Sequence, residues 1–453
     1  MNENIFRAYD IRGNSKLDLD DLTITKIACV LGARIANNGH RSVYIGHDSR
    51  LSASRIFKAL CVGFNSVGIK VLDIGLVPTP LVYYATKVGE SPNGVMITGS
   101  HNPKDDNGLK MVINDDAVSG TELLDEVRAL GSFQEVNQNI EKIDLISKYL
   151  DEVDKLIEIE EPIKVVLDSG NGAAGEVAHQ IFTKLGIDTH SIYREPDGNF
   201  PNHHPDPSKE KNLTDLKKVV LEHNADVGFA FDGDGDRVGM ITNDGQSVLA
   251  DHLIMLLSRF YLEQKKGSIV YDVKCSSQLP KLIIDHGGMP IMEKTGHFNI
   301  KRTIKDKQAI LGGEMSGHIF INHNWYGFDD AIFTATVLSK IIAQSKQTAS
   351  EIIHEFPKTF STPELNLEVD DGNKFKMVDD FIEGHDIHDA EINTIDGIRI
   401  TIGTAWGLLR ASNTSPKLVF RFEAETQEDL NMIKGRFESN LKRIFPELVL
   451  AFD

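Results

Sequence analysis

Along the first three quarters of the chain, short unbroken apolar runs alternate with stretches of helical spacing. Three such segments resemble one another: SVYIGHDSRLSASRIFKALCVGFNSVGIKVLDIG from Ser42, IKVVLDSGNGAAGEVAHQIFTKLGIDTHSIYREPDG from Ile163, and GSIVYDVKCSSQLPKLIIDHGGMPIMEKTG from Gly267. In each, an apolar strand ends at an aspartate (Asp48, Asp168, Asp272). A polar turn and a helix follow, the helix closes at a glycine (Gly68, Gly186, Gly288), and a second strand begins. The aspartate-to-glycine spacings are 20, 18 and 16 residues, close enough for one repeated β-α-β unit. Strands that are apolar throughout are buried on both faces, which is how helix-covered parallel sheets read. The pattern predicts three similar α/β domains with mixed or parallel sheets.

Beyond residue 360 the pattern changes. DGIRITI, WGLLRAS and KLVFRFEA read as strands at hairpin spacing. TQEDLNMIKGRFESNLKRIF reads as an amphipathic helix, with Thr426 as its N-cap and Glu428 and Asp429 in its first turn. A small α+β domain is expected there. The expected domains are residues 1–145, 146–250, 251–360 and 361–453.

Composition narrows the classes. The 453 residues are 41% hydrophobic and 25% charged, as in an ordinary globular protein. No apolar run approaches the ~18 residues of a membrane span. The opening MNENIFRAYDIRG has neither a basic nor an apolar targeting region, and the three cysteines are odd in number and far apart. A reducing cytoplasm is the expected setting. The net charge of −19 repels nucleic acid and anionic lipid. It also repels an anionic substrate unless cations gather in a cleft. Arg12, His101, Lys110, Arg237, Lys274, His297 and Arg410 all fall in polar motifs, expected to be loops between regular elements.

Several of those motifs carry candidate chemistry. TGSHNPKDDNGLK follows the short strand NGVMI and places Ser100 between a glycine and His101, with Lys110 at its far end. Ser100 is either loop decoration or a nucleophile. In FAFDGDGDRVG, Asp232, Asp234 and Asp236 alternate with glycine after an apolar strand. Strand-like alternation would aim the three carboxylates one way, where only a cation relieves their repulsion, and hard oxygen donors suit Mg²⁺. An EF-hand is excluded: Arg237 and Asn243 stand where that loop needs Gly and Glu. Arg237 suggests an anion beside the metal.

In LGGEMSGHIF, Glu314, Ser316 and His318 alternate, so an extended loop would face them together toward vicinal hydroxyls. LLRASNTSPKLVF places Arg410, Ser412, Asn413 and Thr414 in a turn, a fork donor plus short donors suited to phosphate. Lys274, His297, Lys301 and Arg302 each read singly as solvated cations. DSGNGAAG matches G-x-G-x-x-G, but Asp188 comes too early and Glu195 too late for the ribose-binding acid. A tight strand-to-helix turn is the better reading than a nucleotide-dependent oxidoreductase.

Taken in order, the serine loop, the tri-aspartate loop, GEMSGH and RASNTSP resemble the α-D-phosphohexomutase family, and its phosphomannomutase/phosphoglucomutase branch most. The resemblance runs from FRAYDIRG nearly to the end of the chain. It implies four domains around one central cleft, Ser100 as a phosphoryl carrier, and one Mg²⁺ held by Ser100, Asp232, Asp234 and Asp236. It further implies a hexose 1,6-bisphosphate intermediate and activator. Arg12, Lys110, His101 and Arg237 would serve transfer. Tyr9, Lys274, His297, Glu314, Ser316 and His318 would line the sugar pocket, and Arg410, Ser412, Asn413 and Thr414 would grip the idle phosphate. A sugar phosphate is the expected partner, with no nucleic acid or membrane, in a monomer or weak dimer. A phosphoglucosamine mutase and a non-catalytic sugar-phosphate-binding protein are the neighbouring readings.

Overall fold

The computed structural model describes residues 1–133, 137–413 and 415–448. Each of the three repeats folds as a strand, a helix and a parallel second strand. Ser42–His47 pairs in parallel with Lys70–Leu76, Lys164–Asp168 with Asp188–Ile192, and Ser268–Asp272 with Met289–Glu293. The intervening helices are Ala53–Ser66, Gly175–Lys184 and Gln278–Asp285. Glycine in the left-handed region follows each one, at Gly68, Gly186 and Gly287. The third is therefore one residue earlier than the spacing indicated.

The repeat extends further than the sequence pattern showed. On the other side of each first strand lies another parallel strand: Gly94–Ile97, Val227–Phe231 and Leu311–Gly313. Each then turns back into an antiparallel partner: Asp106–Ile113, Val238–Thr242 and Ile319–Ile321. The sheets are thus mixed, and the three turns at these reversals occupy equivalent places. They are the serine loop, the tri-aspartate loop and GEMSGH.

The last sheet is antiparallel. Ile398–Ile402, Ala405–Ala411 and Lys417–Ala424 pair in sequence. The helix Gln427–Ile444 begins as expected, with the Thr426 hydroxyl accepting from the Asp429 amide at 3.1 Å. Period-two alternation divides the faces. Ile398, Ile400, Leu409, Phe420 and Phe422 join the core beneath the helices. Arg399, Trp406, Arg421 and Glu423 face the third domain instead. Arg399 donates to the carbonyls of Val273 and Cys275 at 2.6 and 2.9 Å, and Glu423 accepts from Ser276, Ser277 and Trp406 at 2.9–3.1 Å. Among the described residues no helix is long and apolar enough to cross a membrane.

One buried acid outside the cleft has a measurable consequence. Asp330 caps the helix Ala331–Gln344, accepting from the Phe333 amide at 2.9 Å and from the Tyr149 hydroxyl at 3.0 Å. Burial pushes its carboxyl up to about 7. An unfolded Asp titrates near ~4, so the folded chain takes up this proton first. The stability it contributes is full below that lower value and is lost as pH rises through the upper one. Asp330→Asn keeps a capping oxygen without the charge. It should raise the melting temperature at pH 8 by more than at pH 5, in paired thermal scans; an equal effect at both would contradict the buried charge.

Candidate active site

The turn that carries Ser100 is wound tightly. Ser100 is fully buried and has φ +49°, a left-handed conformation uncommon for a non-glycine residue. Its amide donates to the Thr98 hydroxyl at 2.7 Å, and its own hydroxyl donates to Asp232 Oδ2 at 2.9 Å. Serine and tri-aspartate loops therefore meet across two domains. Gly233 permits this, because a Cβ there would lie 2.5 Å from the Ser100 carbonyl oxygen.

The three aspartates converge, but not by strand alternation. Val227–Phe231 ends before Asp232, and the backbone then curls through Gly235 at φ +72°. Asp232 Oδ1 accepts the amides of Asp236 and Arg237 at 3.1 and 3.2 Å, which closes the turn on itself. One oxygen from each carboxylate lies within 4.8 Å of the others. Lys110 donates to Asp234 Oδ2 at 2.7 Å and also contacts Asp236, while Thr79 donates to Asp234 Oδ2 at 2.5 Å. Asp234 Oδ1 and Asp236 Oδ1 remain buried without hydrogen-bond partners. Two bare anionic oxygens beside a third buried carboxylate fit a hard cation. Burial and its two acidic neighbours push Asp232 well above the carboxylate range. Burial works against the Lys110 charge, but Asp234 and Asp236 outweigh it and raise its pKa well above that of an ordinary lysine.

Arg237 leaves this turn and donates through Nε to His318 Nε2 at 3.0 Å. The His318 Nδ1 therefore carries the hydrogen, and it lies 3.0 Å from Asp329 Oδ2. Asp236, His318 and Asp329 are also close enough for a cation. There His318 Nδ1 and Asp329 Oδ2 are also buried without hydrogen-bond partners, but that cluster has one carboxylate fewer and two cations against it, Arg237 on His318 Nε2 and Lys301 with Nζ 3.1 Å from Asp329 Oδ1. The tri-aspartate turn is the better metal centre.

GEMSGH is a turn rather than an extended loop. The Glu314 amide donates to the His318 carbonyl at 2.9 Å, and Gly317 donates back to the Glu314 carbonyl at 3.0 Å. Glu314 is buried and accepts from the Gly296 amide at 2.5 Å; Ser316 is half-buried at the tip. Tyr9 closes the cleft from the first domain. Its hydroxyl donates to the Thr295 carbonyl at 3.1 Å and accepts from Asn413 at 2.5 Å. Arg410 is buried, with Nε 2.8 Å from Asp396 Oδ2. The Ser412 hydroxyl accepts from the Ser415 amide at 3.2 Å. Thr414 lies outside the described residues.

The cations are placed differently from the expectation of loop positions. Arg12, Lys110 and Arg410 lie within strands (Ile11–Asn14, Asp106–Ile113 and Ala405–Ala411), and His297 opens the helix His297–Lys307. The hairpin arms simply run further toward the cleft than their polar composition suggests. Lys274 and Lys301 are not solvated. Lys274 is buried 3.2 Å from Glu364 and 3.7 Å from Asp272; Lys301 lies 4.0 Å from the centre of the Tyr83 ring. Arg12 is paired with Asp10 at 2.6 Å. Enclosure, reinforced by Arg237 and Arg12, holds the His101 imidazole well below its usual pKa. Burial, with Lys301 close by, does the same to His297.

Four loops from four sheets thus meet in one polar, cation-lined cleft. Models of the phosphoglucomutase/phosphomannomutase family match in the same order: alpha/beta/alpha domain I over residues 3–132, domain II over 147–245, domain III over 250–360, and the C-terminal domain over 364–439. The chain belongs to the phosphoglucomutase/phosphomannomutase family. A Pseudomonas syringae pv. tomato protein named phosphomannomutase/phosphoglucomutase is 44% identical, over 99% of this chain and 97% of the relative. A Neisseria meningitidis serogroup A protein named phosphoglucomutase is 40% identical over 98% of both. The crystal structure of a family protein from Burkholderia thailandensis superposes with a TM-score of 0.92, at 37% identity and over 100% of both chains.

Within this family fold, the G-x-G-x-x-G turn has a packing role. A Cβ at Gly172 would lie 2.8 Å from the Gly233 carbonyl oxygen, and one at Gly175 would lie 2.0 Å from that of Arg194. Gly172 packs on the tri-aspartate turn, and Gly175 on the backbone of Arg194. Sequence reasoning missed Thr79 and Asp329 as members of the site. Asp329 had a signal: two adjacent acids enter the apolar helix AIFTATVL, and a buried carboxylate needs partners. Thr79, beside proline in an apolar stretch, had none.

Proposed function

We propose that the chain interconverts hexose 6-phosphates and hexose 1-phosphates, of mannose and glucose, through a phosphoserine at Ser100 and a bound 1,6-bisphosphate. The observation that carries this is the hydrogen bond from the Ser100 hydroxyl, in a strained buried turn, to one of three clustered carboxylates. The two reacting oxygens lie at opposite ends of the sugar, so phosphate cannot jump between them directly. The bond from phosphorus to Ser100 Oγ breaks as the sugar hydroxyl bonds to phosphorus, and that hydroxyl gives up its proton. After the bisphosphate turns end for end, Ser100 takes the other phosphoryl group. Asp232, Asp234, Asp236 and Ser100 would hold one Mg²⁺, which neutralises charge on the transferring group.

Lys110 and Arg237 supply positive charge to the phosphoryl oxygens. Lys110 is held protonated by its aspartates, which leaves the neutral His101 as the candidate proton acceptor, a weak base among these cations. Arg12 flanks the reacting group. Glu314 and Ser316 would hold sugar hydroxyls at C3 and C4, with Tyr9, Lys274, His297 and His318 around them. Arg410, Ser412 and Asn413, with Thr414, would grip the phosphate that is not reacting.

A pocket that grips C3, C4 and phosphate has no lever on C2, where mannose and glucose differ. We expect ³¹P NMR to show both sugars isomerised, with kcat/KM values within ~tenfold. Arg410→Ala should impair both about equally. Preference for one sugar by several hundredfold, or efficient turnover of glucosamine phosphate with neither hexose used, would refute this substrate range.

A further inference from the structure

The serine loop is shaped by a side chain to which none of the steps above gives a role. Arg50 follows the strand Ser42–His47 and is fully buried. Its guanidinium donates to the carbonyl oxygens of Ser100 at 2.8 Å, Asn102 at 2.6 Å, Pro103 at 2.5 Å and Asp106 at 2.8 Å. Its Nε–H donates to Asp48 Oδ2 at 3.1 Å. All five guanidinium donors are thus used. Four carbonyls from one short loop point inward at a single cation, and the chain reaches them only by winding around it.

Thr98 completes this support from the other side. Its hydroxyl donates to the same Asp48 oxygen at 2.8 Å and accepts the Ser100 amide at 2.7 Å. The second domain covers the assembly: Phe200 lies 5.4 Å from the Arg50 guanidinium, and His204 donates to the His101 carbonyl at 2.5 Å. A residue in the left-handed region reverts to commoner backbone angles unless its surroundings over-determine it. Here the carbonyl and the amide of Ser100 are both fixed, by Arg50 and Thr98, and both trace to Asp48.

We infer that Arg50 and Thr98, anchored on Asp48, are positioning residues for phosphoryl transfer: they hold the left-handed turn that aims Ser100 Oγ at the tri-aspartate centre. This rests on Ser100 as the reacting residue. In-line transfer tolerates little displacement, and a ~1 Å shift of the reacting atom costs ~100-fold in rate. Lysine keeps the charge of Arg50, but its three donors on one nitrogen cannot span four carbonyls.

The test is steady-state kinetics of Arg50→Lys, Thr98→Val and Thr98→Ser on glucose 1-phosphate, alongside Ser100→Ala. Arg50→Lys and Thr98→Val should lower kcat by ~100-fold with KM within ~threefold, because the sugar pocket and phosphate grip are untouched. Thr98→Ser, which keeps the hydroxyl, should return kcat to within ~threefold of the natural chain. A purely structural role would not give this split or this rescue. If Arg50→Lys fails to fold, the two Thr98 variants decide alone. The inference is overturned if Thr98→Val keeps wild-type kcat, if its loss appears in KM, or if Thr98→Ser is as impaired as Thr98→Val. Should those outcomes accompany an inactive Ser100→Ala, the positioning role alone falls. An active Ser100→Ala instead removes the phosphoserine reading beneath it.

Discussion

Ser100→Ala should lower kcat for hexose phosphate isomerisation by ~10⁴-fold or more, since no neighbouring side chain can replace a covalent carrier. The reason is geometric. The Ser100 hydroxyl lies 2.9 Å from Asp232 Oδ2, and the residue's backbone is fixed there in a conformation that costs free energy; the other hydroxyl at the turn, Thr79, is hydrogen-bonded to Asp234 from a regular helix N-terminus. His101 is adjacent in sequence, but its ring is turned toward Asp206, with Nδ1 3.8 Å from that carboxylate. The Ser100→Ala protein should still bind glucose 1-phosphate, with a dissociation constant within ~tenfold of the natural chain, because Arg410, Glu314 and Asn413 are unaltered. Calorimetric titration alongside the kinetics separates the two effects. Turnover within tenfold of the natural chain would exclude Ser100 as the carrier.

The second large effect concerns the metal. EDTA should abolish turnover and excess Mg²⁺ should restore it. Asp234→Asn should cost ~10³-fold in kcat, in the range seen when a preorganised electrostatic group is removed. Folding should survive this substitution. Asp232, Asp234 and Asp236 repel one another when no cation is bound, and burial already pushes Asp232 well above the carboxylate range. Removing one negative charge from that cluster eases the push on Asp232, but Lys110 and Thr79 hold Asp234 itself well below the carboxylate range, and Lys110 loses one of its two partners. Thermal scans of Asp234→Asn should therefore keep a cooperative transition in EDTA, and show a smaller gain from added Mg²⁺ than the natural chain. Full turnover in EDTA would remove the metal from the account.

Much of this site could be read from the chain because its loops carry residue types that the fold alone would not choose. Three acids after an apolar strand, and an arginine with serine and asparagine between two strands, are costly unless a ligand uses them. The repeated β-α-β units were legible because their strands are apolar along their whole length and their helices end at left-handed glycines. What escaped was a second half common to each repeat: the strands before Ser100 and Asp232 were legible singly, but not as parts of the same unit. Gly94–Ile97 and Leu311–Gly313 are only four and three residues long, and Val227–Phe231 includes a glycine, so none gives a long periodic signal. Without them, the common position of three functional turns in three sheets could not be seen.

Local geometry escaped for a different reason. Alternating Asp and Gly looks like a strand to a pattern with period two, but Gly235 in the left-handed region curls it into a turn. The buried partners of the cations, such as Glu364 for Lys274 and Asp329 for Lys301, are distant in sequence by 90 and 28 residues. Only the packed domains bring them together. Arg50 was hidden similarly: in the sequence it is one more cation in a polar turn, and the four carbonyls it collects carry no side-chain signature.

In the proposed reaction Ser100 passes a phosphoryl group to and from the sugar. This role is tested most directly by incubating the protein with glucose 1,6-bisphosphate labelled with ³²P and mapping the label by peptide mass spectrometry. Label should appear on the peptide containing Ser100 and be chased off by unlabelled glucose 1-phosphate or mannose 1-phosphate at the rate of turnover. Label on another residue, or label on Ser100 that sugar phosphate does not remove, would contradict it.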